Sequence, residues 1–489
     1  MDHLNVTFLP QGITVAVKAG TTLLQAQISA GLHPDAPCGV KGTCGQCNVE
    51  INGKTALACQ TKVFEDMTVT LPQWERSAIL TEGFSAPIHP DGLHDYAAAF
   101  DIGTTTLVGF LLDGKSGELL ATSSAMNPQV RYGADVIARI ETAMGSPEPV
   151  LQQCILPVLR RLLEELVAQG GISTKEITLV SIVGNTAMHH LLLEIDPKPL
   201  ITPPYMPAVR DAMEIPAAPL LPIHPDGVLR ILPNIAGFVG ADTVACMTAV
   251  DFCALEELTL MIDIGTNGEM VLGDKHRHIA CSTAAGPAFE GAKISMGMRG
   301  SPGAIDHVWV EDGHLFHHTI DDIPAQGICG SGLLDLVACL LDLEILDESG
   351  YLEGKQYTIP GTAVTLTQKD IREVQLAKAA IRAGIELLCG HLGVKPEDIR
   401  SVLLAGAFGN YMDPRSACRI GMIPPILLDR IRPIGNAAGE GAKRCAVSRD
   451  AYEYSKRLAE NTEFLELASR PEFQDCFVDA LEFSEEDDL

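Results

Sequence analysis

The segment Ala97–Asp113, AAAFDIGTTTLVGFLLD, is an apolar run, a short polar turn and a second apolar run, and the pattern recurs at Leu258–Asp274 as LTLMIDIGTNGEMVLGD. Each run has the length and composition of a buried strand, so both segments read as β-hairpins inside a sheet, and their repetition predicts a duplicated domain. The chemistry of the turn is specific. Glycine lets the backbone approach an anion, amides and threonine hydroxyls donate to phosphate oxygens, and aspartate holds Mg²⁺, often through water. Asp101, Gly103, Thr104 and Thr105, with Asp263, Gly265, Thr266 and Asn267, are therefore the candidate phosphate and magnesium group. One such turn alone would be equally an ordinary hairpin; two can grip one nucleotide from both sides.

A third element supports them. Ser401–Pro414, SVLLAGAFGNYMDP, is an apolar strand followed by Gly406 and Gly409, which with Asn410 are candidates for contact with a nucleoside. Before it, LTQKDIREVQLAKAAIRAGIELLCGHLG predicts a long helix that starts at a Thr367/Asp370 capping box and lines up Ile371, Val374, Ala377, Ile381, Ile385 and Leu388 on one face. Gly330, Ser331 and Gly332 precede the amphipathic run LLDLVACLLDL, so their amides either open a helix toward an anion or form a hinge. Asp135, in RYGADVIARI, is the candidate to orient or deprotonate an attacking water, with Glu269 as alternate. Either carboxylate reads equally as a helix-terminal charge or an ion-pair partner.

Toward the N-terminus, Cys38–Cys59 reads CGVKGTCGQCNVEINGKTALAC, four thiols at C-x5-C-x2-C-x11-C. Glycines at 39, 42 and 45 crowd the first three cysteines, which suits a loop whose amides turn inward toward sulfur. Four thiolates also satisfy tetrahedral zinc, but a zinc ribbon shows two x2 pairs rather than a tight triplet and a distant fourth. The triplet resembles the [2Fe-2S] ferredoxins, with x5 where the plant type has x4 and with the fourth cysteine arriving sooner. Cys38, Cys44, Cys47 and Cys59 are thus the candidate cluster ligands. Alternating apolar runs at 6–9, 13–17 and 63–71 and a short helix over 22–30 predict a small β-grasp-like sheet around them.

The predicted organisation is α/β: a ferredoxin-like domain over residues 1–72, a proline-containing linker over 73–96, two duplicated halves over 97–255 and 256–450, and a helical cap with an acidic tail over 451–489. Hairpin, hairpin and nucleoside loop in this order resemble the superfamily of actin, Hsp70-type chaperones, sugar kinases and acetate kinase (ASKHA). Its fold is two similar α/β lobes closing on ATP. Within it, VGNTAMHHLLLEIDP (183–197), LPNIAGFVGADTVA (232–245), STAAGPAFEGAKISMGMRGSPGAI (282–305) and GICGSGLLDLVA (327–338), together with the ferredoxin-like segment, resemble the ATP-dependent reductive activators of corrinoid proteins.

That resemblance implies a cytoplasmic ATP-hydrolysing iron-sulfur reductase carrying a [2Fe-2S] cluster, ATP and Mg²⁺. It passes one electron to the Co(II) of a corrinoid protein in a methyltransferase system, giving Co(I). An upstream electron donor is implied as well, and a homodimer is compatible with it. Clusters of the plant type sit near about −400 mV, and each ~100 mV uphill costs ~2.3 kcal/mol per electron, so electron supply alone would leave most cobalt oxidised. Members of the group often carry a sizeable middle domain between the iron-sulfur and ATPase parts; the short linker here suggests that it is missing.

Composition restricts the alternatives. At 489 residues, with 46% hydrophobic residues and a formal charge of −28, the chain lacks the basic footprint that nucleic acid or an anionic membrane surface requires. No apolar run approaches a membrane span, and MDHLNVTFLPQ does not read as a signal peptide. Ten further cysteines, scattered mostly within apolar runs, read as core packing in a reducing compartment. Adjacent His189 and His190 point about 100° apart on a helix and read as packed rather than metal-binding residues; Met296 and Met298 read as filler or as part of a partner surface. Two other activities remain compatible with the motifs. One is an activator of a CoA-ester dehydratase or reductase, the other a metabolite kinase with a redox appendage.

Overall fold

In the computed structural model, the described residues are 3–9, 12–30, 32, 47–71, 80–81, 83–84, 86–467 and 470–483. The N-terminal alternation builds five strands, β1 (His3–Leu9), β2 (Ile13–Lys18), β3 (Asn48–Ile51), β4 (Lys54–Leu57) and β5 (Met67–Thr70), with helix α1 (Leu23–Ser29) between β2 and β3. Their order is β2-β1-β5-β3-β4, with β1 and β5 parallel at the centre. Thr22 starts α1 with a capping box closed by Gln25, and Leu23, Leu24 and Ala26 bury against Val6, Phe8, Val49 and Val69. This is the β-grasp arrangement that the alternation predicts.

The repeated hairpins lie at the centres of two six-stranded sheets. The first half contains β6 (Tyr96–Ile102), β7 (Thr106–Asp113), β8 (Leu119–Met126), α2 (Val136–Gly145), α3 (Val150–Gly170), β9 (Ile177–Gly184), α4 (Thr186–Leu192), β10 (Met213–Pro216), β11 (Val228–Ile231) and α5 (Ala241–Ala249). The second opens with β12 (Thr259–Ile264), β13 (Gly268–Gly273) and β14 (His278–Thr283). An insertion follows: β15 (Ala304–Glu311), β16 (His314–Thr319), β17 (Gly327–Ile328), α6 (Gly330–Asp342) and the ribbon of β18 (Gln356–Thr358) and β19 (Thr365–Thr367). Helix α7 (Gln368–Leu392) then leads to β20 (Ser401–Ala405), α8 (Gly406–Tyr411), α9 (Pro414–Arg419), β21 (Ile431–Gly435) and α10 (Ala437–Val447).

Read outward from the hairpins, the first sheet runs β8-β7-β6-β9-β11 and the second β14-β13-β12-β20-β21. In each, the first three strands are antiparallel and the last two join in parallel. The duplication is therefore one of topology as well as of motif. The halves meet where α5 and α10, each following the last parallel strand of its half, pack on one another. Small residues make that approach possible: a Cβ on Gly441 would lie 2.0 Å from the Ala245 carbonyl oxygen.

Helix α7 follows its pattern closely. Thr367 Oγ1 accepts from Asp370 N, Asp370 Oδ2 accepts from Thr367 N at 2.8 Å, and all six residues of the expected face are fully buried. Such a cap contributes about 1 kcal/mol; burial of the face contributes more, roughly 1.5–3 kcal/mol per large side chain. The segment after residue 450 departs from the expected helical cap. Between α11 (Arg449–Asn461) and α12 (Pro471–Asp479), the strand β22 (Thr462–Phe464) joins β14 in parallel and extends the second sheet.

The expected linker is fastened down over its described part. Gly83 bridges Gly435, Phe84 N donates to Ile434 O at 2.9 Å, Ala86 N to Ala249 O at 2.7 Å and Asp91 N to Val447 O at 2.9 Å. It thus runs along the meeting line of α5 and α10. Gly83 is required there, because a Cβ would stand 2.7 Å from the Ile434 carbonyl oxygen.

Candidate functional site

Both Asp-Gly-Thr turns open on one cavity of about 640 Å³, large enough for a nucleotide. Asp101, Gly103, Thr104 and Thr105 line it from the first half, and Asp263, Gly265, Thr266, Asn267 and Glu269 from the second. Gly330, Ser331, Gly406, Phe408, Tyr411 and Ala437 complete the wall. The strands explain the convergence: Asp101 and Asp263 end the central strand of each sheet, and the turn that follows projects toward the opposite half.

The turns are held from behind. Gly103 N donates to Thr106 O and Gly265 N to Asn267 O, each at 2.9 Å. Asn185 Nδ2 donates to Thr104 Oγ1 at 2.9 Å, and the buried guanidinium of Arg139 donates to Thr104 O at 2.6 Å and to Gly133 O at 2.9 Å. Burial brings the Arg139 pKa down to about 10, so it remains charged at neutral pH. Gly406 has φ +82°, and a Cβ there would meet Asp263 Oδ1 at 2.6 Å, so the turn after β20 closes directly over the second aspartate.

Four carboxylates gather at the floor. Burial, reinforced by the Asp263 charge, pushes Asp101 up to about 7 although a side-chain hydrogen bond from Asn436 opposes the rise. Burial and the Asp242 charge push Asp263 up to about 7. Asp242, at the start of α5, rises to about 7 mainly through burial, and Glu269 rises well above the carboxylate range from burial and from Asp242 and Asp263. Among the described residues no three His, Cys, Asp or Glu groups come close enough to hold a metal directly. The cluster suits a cation held through its water shell.

Four expected residues stand elsewhere. Gly409 packs under Leu404, where a Cβ would lie 3.1 Å from the Leu404 Cβ, and neither it nor Asn410 lines the cavity. Gly332 lets α6 approach β15, since a Cβ would meet Ile305 O at 2.3 Å. Asp135 lines an adjoining open cleft of about 1430 Å³ rather than the first cavity, and its Oδ1 accepts from Ala138 N at 2.8 Å as the N-cap of α2. The helix-terminal reading of Asp135 is the one that its hydrogen bond satisfies.

Sequence reasoning missed Asp242, Asn436 and Glu290. Glu290 ends a one-turn helix, Pro287–Glu290, after β14; its Oε1 accepts from Thr266 Oγ1 at 2.8 Å and its Oε2 from Thr105 Oγ1 at 3.1 Å. Asp242 and Glu290 lie inside stretches singled out above, GADTVA and GPAFEGAK, but nothing in their spacing marks them as cavity residues. His189 and His190 are packed: His189 Nδ1 lies 2.6 Å from Asn234 Nδ2 and His190 Nδ1 2.8 Å from Thr186 O, and burial lowers both, His189 to about 4. Met296 is partly buried against the second-half core, and Met298 lines both cavities.

Of the cluster candidates, Cys38 and Cys44 lie outside the described residues. Cys47 and Cys59 are each 4% exposed, and Ala58 N donates to Cys47 O at 2.8 Å, which sets Cys59 beside Cys47. Both cysteines belong to the core cluster of the β-grasp domain. Burial pushes Cys154 up to about 11 and Cys339, Cys389, Cys418 and Cys445 up to about 12, the mark of inert core thiols. Among the described residues no helix is long and apolar enough to cross a membrane.

Comparison with known proteins agrees with this geometry. Residues 6–64 match the model of a 2Fe-2S iron-sulfur cluster binding domain, 96–254 that of the RACo middle region, and 257–489 that of the C-terminal domain of RACo, the ASKHA domain. The corrinoid activation enzyme RamQ of Eubacterium limosum is 37% identical over 413 residues, 78% of this chain and 69% of the relative. The [Co(II) methylated amine-specific corrinoid protein] reductase of Methanosarcina barkeri is 28% identical over 425 residues, 79% of this chain and 77% of the relative. A solved reductive activator for corrinoid, iron-sulfur protein superposes with a TM-score of 0.73 at 29% identity, covering 98% of either chain. These findings correct one expectation. The middle region is not missing; it matches residues 96–254, the stretch that folds as the first half.

Proposed function

Because the chain belongs to the family of reductive activators of corrinoid proteins, we propose that it hydrolyses ATP to drive one-electron reduction of a corrinoid protein's Co(II) to Co(I). The observation that carries this reading is that two phosphate turns and the linker from the cysteine domain meet at one cavity. Leu80 lines that cavity, Asn436 Nδ2 donates to Leu80 O at 3.4 Å, and Gly83 N donates to Glu440 Oε1 at 3.2 Å. A change in closure about a nucleotide therefore acts on the segment from which the N-terminal domain is suspended.

In this reading Thr104, Thr105, Thr266 and the turn amides of Gly103, Gly265 and Asn267 hold the phosphates. Asp101 and Asp263 orient the water shell of Mg²⁺. Burial and mutual repulsion raise both carboxyls, and a cation there would offset that repulsion. Gly330, Ser331, Gly406 and Phe408 receive the nucleoside, with Gly332, Gly409 and Asn410 supporting that wall from behind. Glu269 stands on the floor beside Asp101 and Asp263, raised by burial and by the charges of Asp242 and Asp263. Cys38, Cys44, Cys47 and Cys59 hold the [2Fe-2S] cluster, which supplies one electron at a time. The partner is a corrinoid protein of a methyltransferase system, served in the cytoplasm with a separate protein as electron donor; a homodimer is compatible with these roles.

The test is anaerobic. Reduced protein mixed with Co(II) corrinoid proteins should give the Co(I) absorption band only with Mg-ATP present and only with the four cysteines intact. Equal Co(I) with and without nucleotide would remove the coupling, and none with any candidate partner would remove the function.

A further inference from the structure

We propose that Glu290 is the carboxylate that aligns and deprotonates the water attacking the terminal phosphate of ATP, an assignment that rests on the nucleotide reading above. Three observations meet at this side chain. Its two oxygens accept from the hydroxyls of Thr266 (2.8 Å) and Thr105 (3.1 Å), so one carboxylate is shared by both phosphate turns. It lines both the 640 Å³ cavity and the adjoining 1430 Å³ cleft, together with Thr105, Thr266 and Asn267, and so stands where the two openings meet beside both turns. Its backbone is anchored on either side. Phe289 stacks on Phe408 of the nucleoside loop at 4.8 Å and 10°, and Gly291 has φ +76° with the Met298 carbonyl oxygen 2.3 Å from where a Cβ would stand.

The alternatives are engaged elsewhere. Asp135 caps α2, and Glu269 lies on the floor among Asp101, Asp242 and Asp263, away from the outer cleft. Glu290 alone of the three meets both compartments. The two hydroxyls already donate to this carboxylate, so phosphate oxygens entering there compete for those donors, and a carboxylate oxygen released from its hydroxyl can accept from a water in the adjoining cleft.

The step balances without any further reactant. The water oxygen forms a bond to the terminal phosphorus, the bond from that phosphorus to the bridging oxygen of ADP breaks, and the water proton passes to Glu290 and then to solvent in the cleft. The products are ADP and inorganic phosphate.

The experiment uses the full chain with Glu290→Gln and Glu290→Ala. Glutamine is isosteric and can still bridge the two threonines. If Glu290 acts as base, Glu290→Gln lowers the rate of phosphate release by about 100-fold or more, while affinity for a non-hydrolysable ATP analogue, read by calorimetry, is unchanged or tighter. Glu290→Ala is equally slow and is partly restored by added formate, which the open cleft admits. Wild-type turnover in Glu290→Gln overturns the assignment. So does a loss of analogue affinity that accounts for the whole loss of turnover, which would make Glu290 a bridge only. Wild-type protein run in parallel separates the two levels: ATP-dependent Co(I) formation by the wild type upholds the proposed function whatever Glu290→Gln does, and its absence removes that function first.

Discussion

The crossovers that leave the third strand of each sheet occupy like places in the duplicated fold and carry carboxylates with unlike duties. After β8 the chain reaches Asp135, whose side chain caps the helix that begins beside it; after β14 it reaches Glu290, whose side chain joins the two phosphate turns. The difference is local. Asp135 is followed directly by α2, and the free amides of a helix start are satisfied by a short acceptor at the N-cap. Glu290 ends a single turn closed by Gly291 in the left-handed region, so no helix claims its oxygens. Each half carries a carboxylate after its third strand, and the element that follows each one sets its partner.

The largest effect should come from the residues that the halves share. Asp101→Ala and Asp263→Ala should each lower ATP-dependent Co(I) formation by at least about 100-fold while the visible spectrum of the N-terminal domain stays unchanged. A variant of one half that retained wild-type rates would show that the halves do not contribute equally to one site.

Arg139 comes next, because it braces the first turn alone. Arg139→Met strands the carbonyls of Thr104 and Gly133 in a buried setting, at a cost of roughly 2–4 kcal/mol. Thermal unfolding should show a lower transition midpoint for the ATPase part, with nucleotide affinity reduced; an unchanged midpoint would mean that the first turn needs no brace.

The carboxylate floor gives a pH dependence with a definite sign. Asp101, Asp242 and Asp263 have folded-state values of about 7, above the ordinary 3.8, so the nucleotide-free protein binds extra protons from about pH 4 to 7 and loses stability as the pH rises through that window. Asp242→Asn should flatten the profile and stabilise the protein at pH 8 by roughly 1 kcal/mol. Denaturant melts at pH 5.5 and pH 8 read it directly, and parallel curves for variant and wild type would mean that the floor carries no shared proton.

Asp135→Ala should have the smallest effect, about 1 kcal/mol from loss of the N-cap, with the ATPase rate within about threefold of wild type. A 100-fold fall in rate with little change in stability would exchange the roles of Asp135 and Glu290 and undo the comparison.

Much of the molecule was legible from local pattern. The two hairpins, the capping box and buried face of α7 and the alternation around the four cysteines all depend on residues adjacent in sequence or one helical turn apart. In such cases residue type and spacing carry the physics. The convergence of Asp242 and Glu290 on the cavity, the separation of Asp135 from it and the fastening of Leu80 and Gly83 beside Asn436 depend instead on how β11, β14 and β21 are brought together across long stretches of chain. Hydrogen-bond partners and desolvation are set by such long-range neighbours. Composition and spacing therefore identified an iron-sulfur segment joined to a duplicated ASKHA-type fold, while tertiary packing chose which carboxylate caps a helix, which are buried together on the cavity floor and which one joins the two turns.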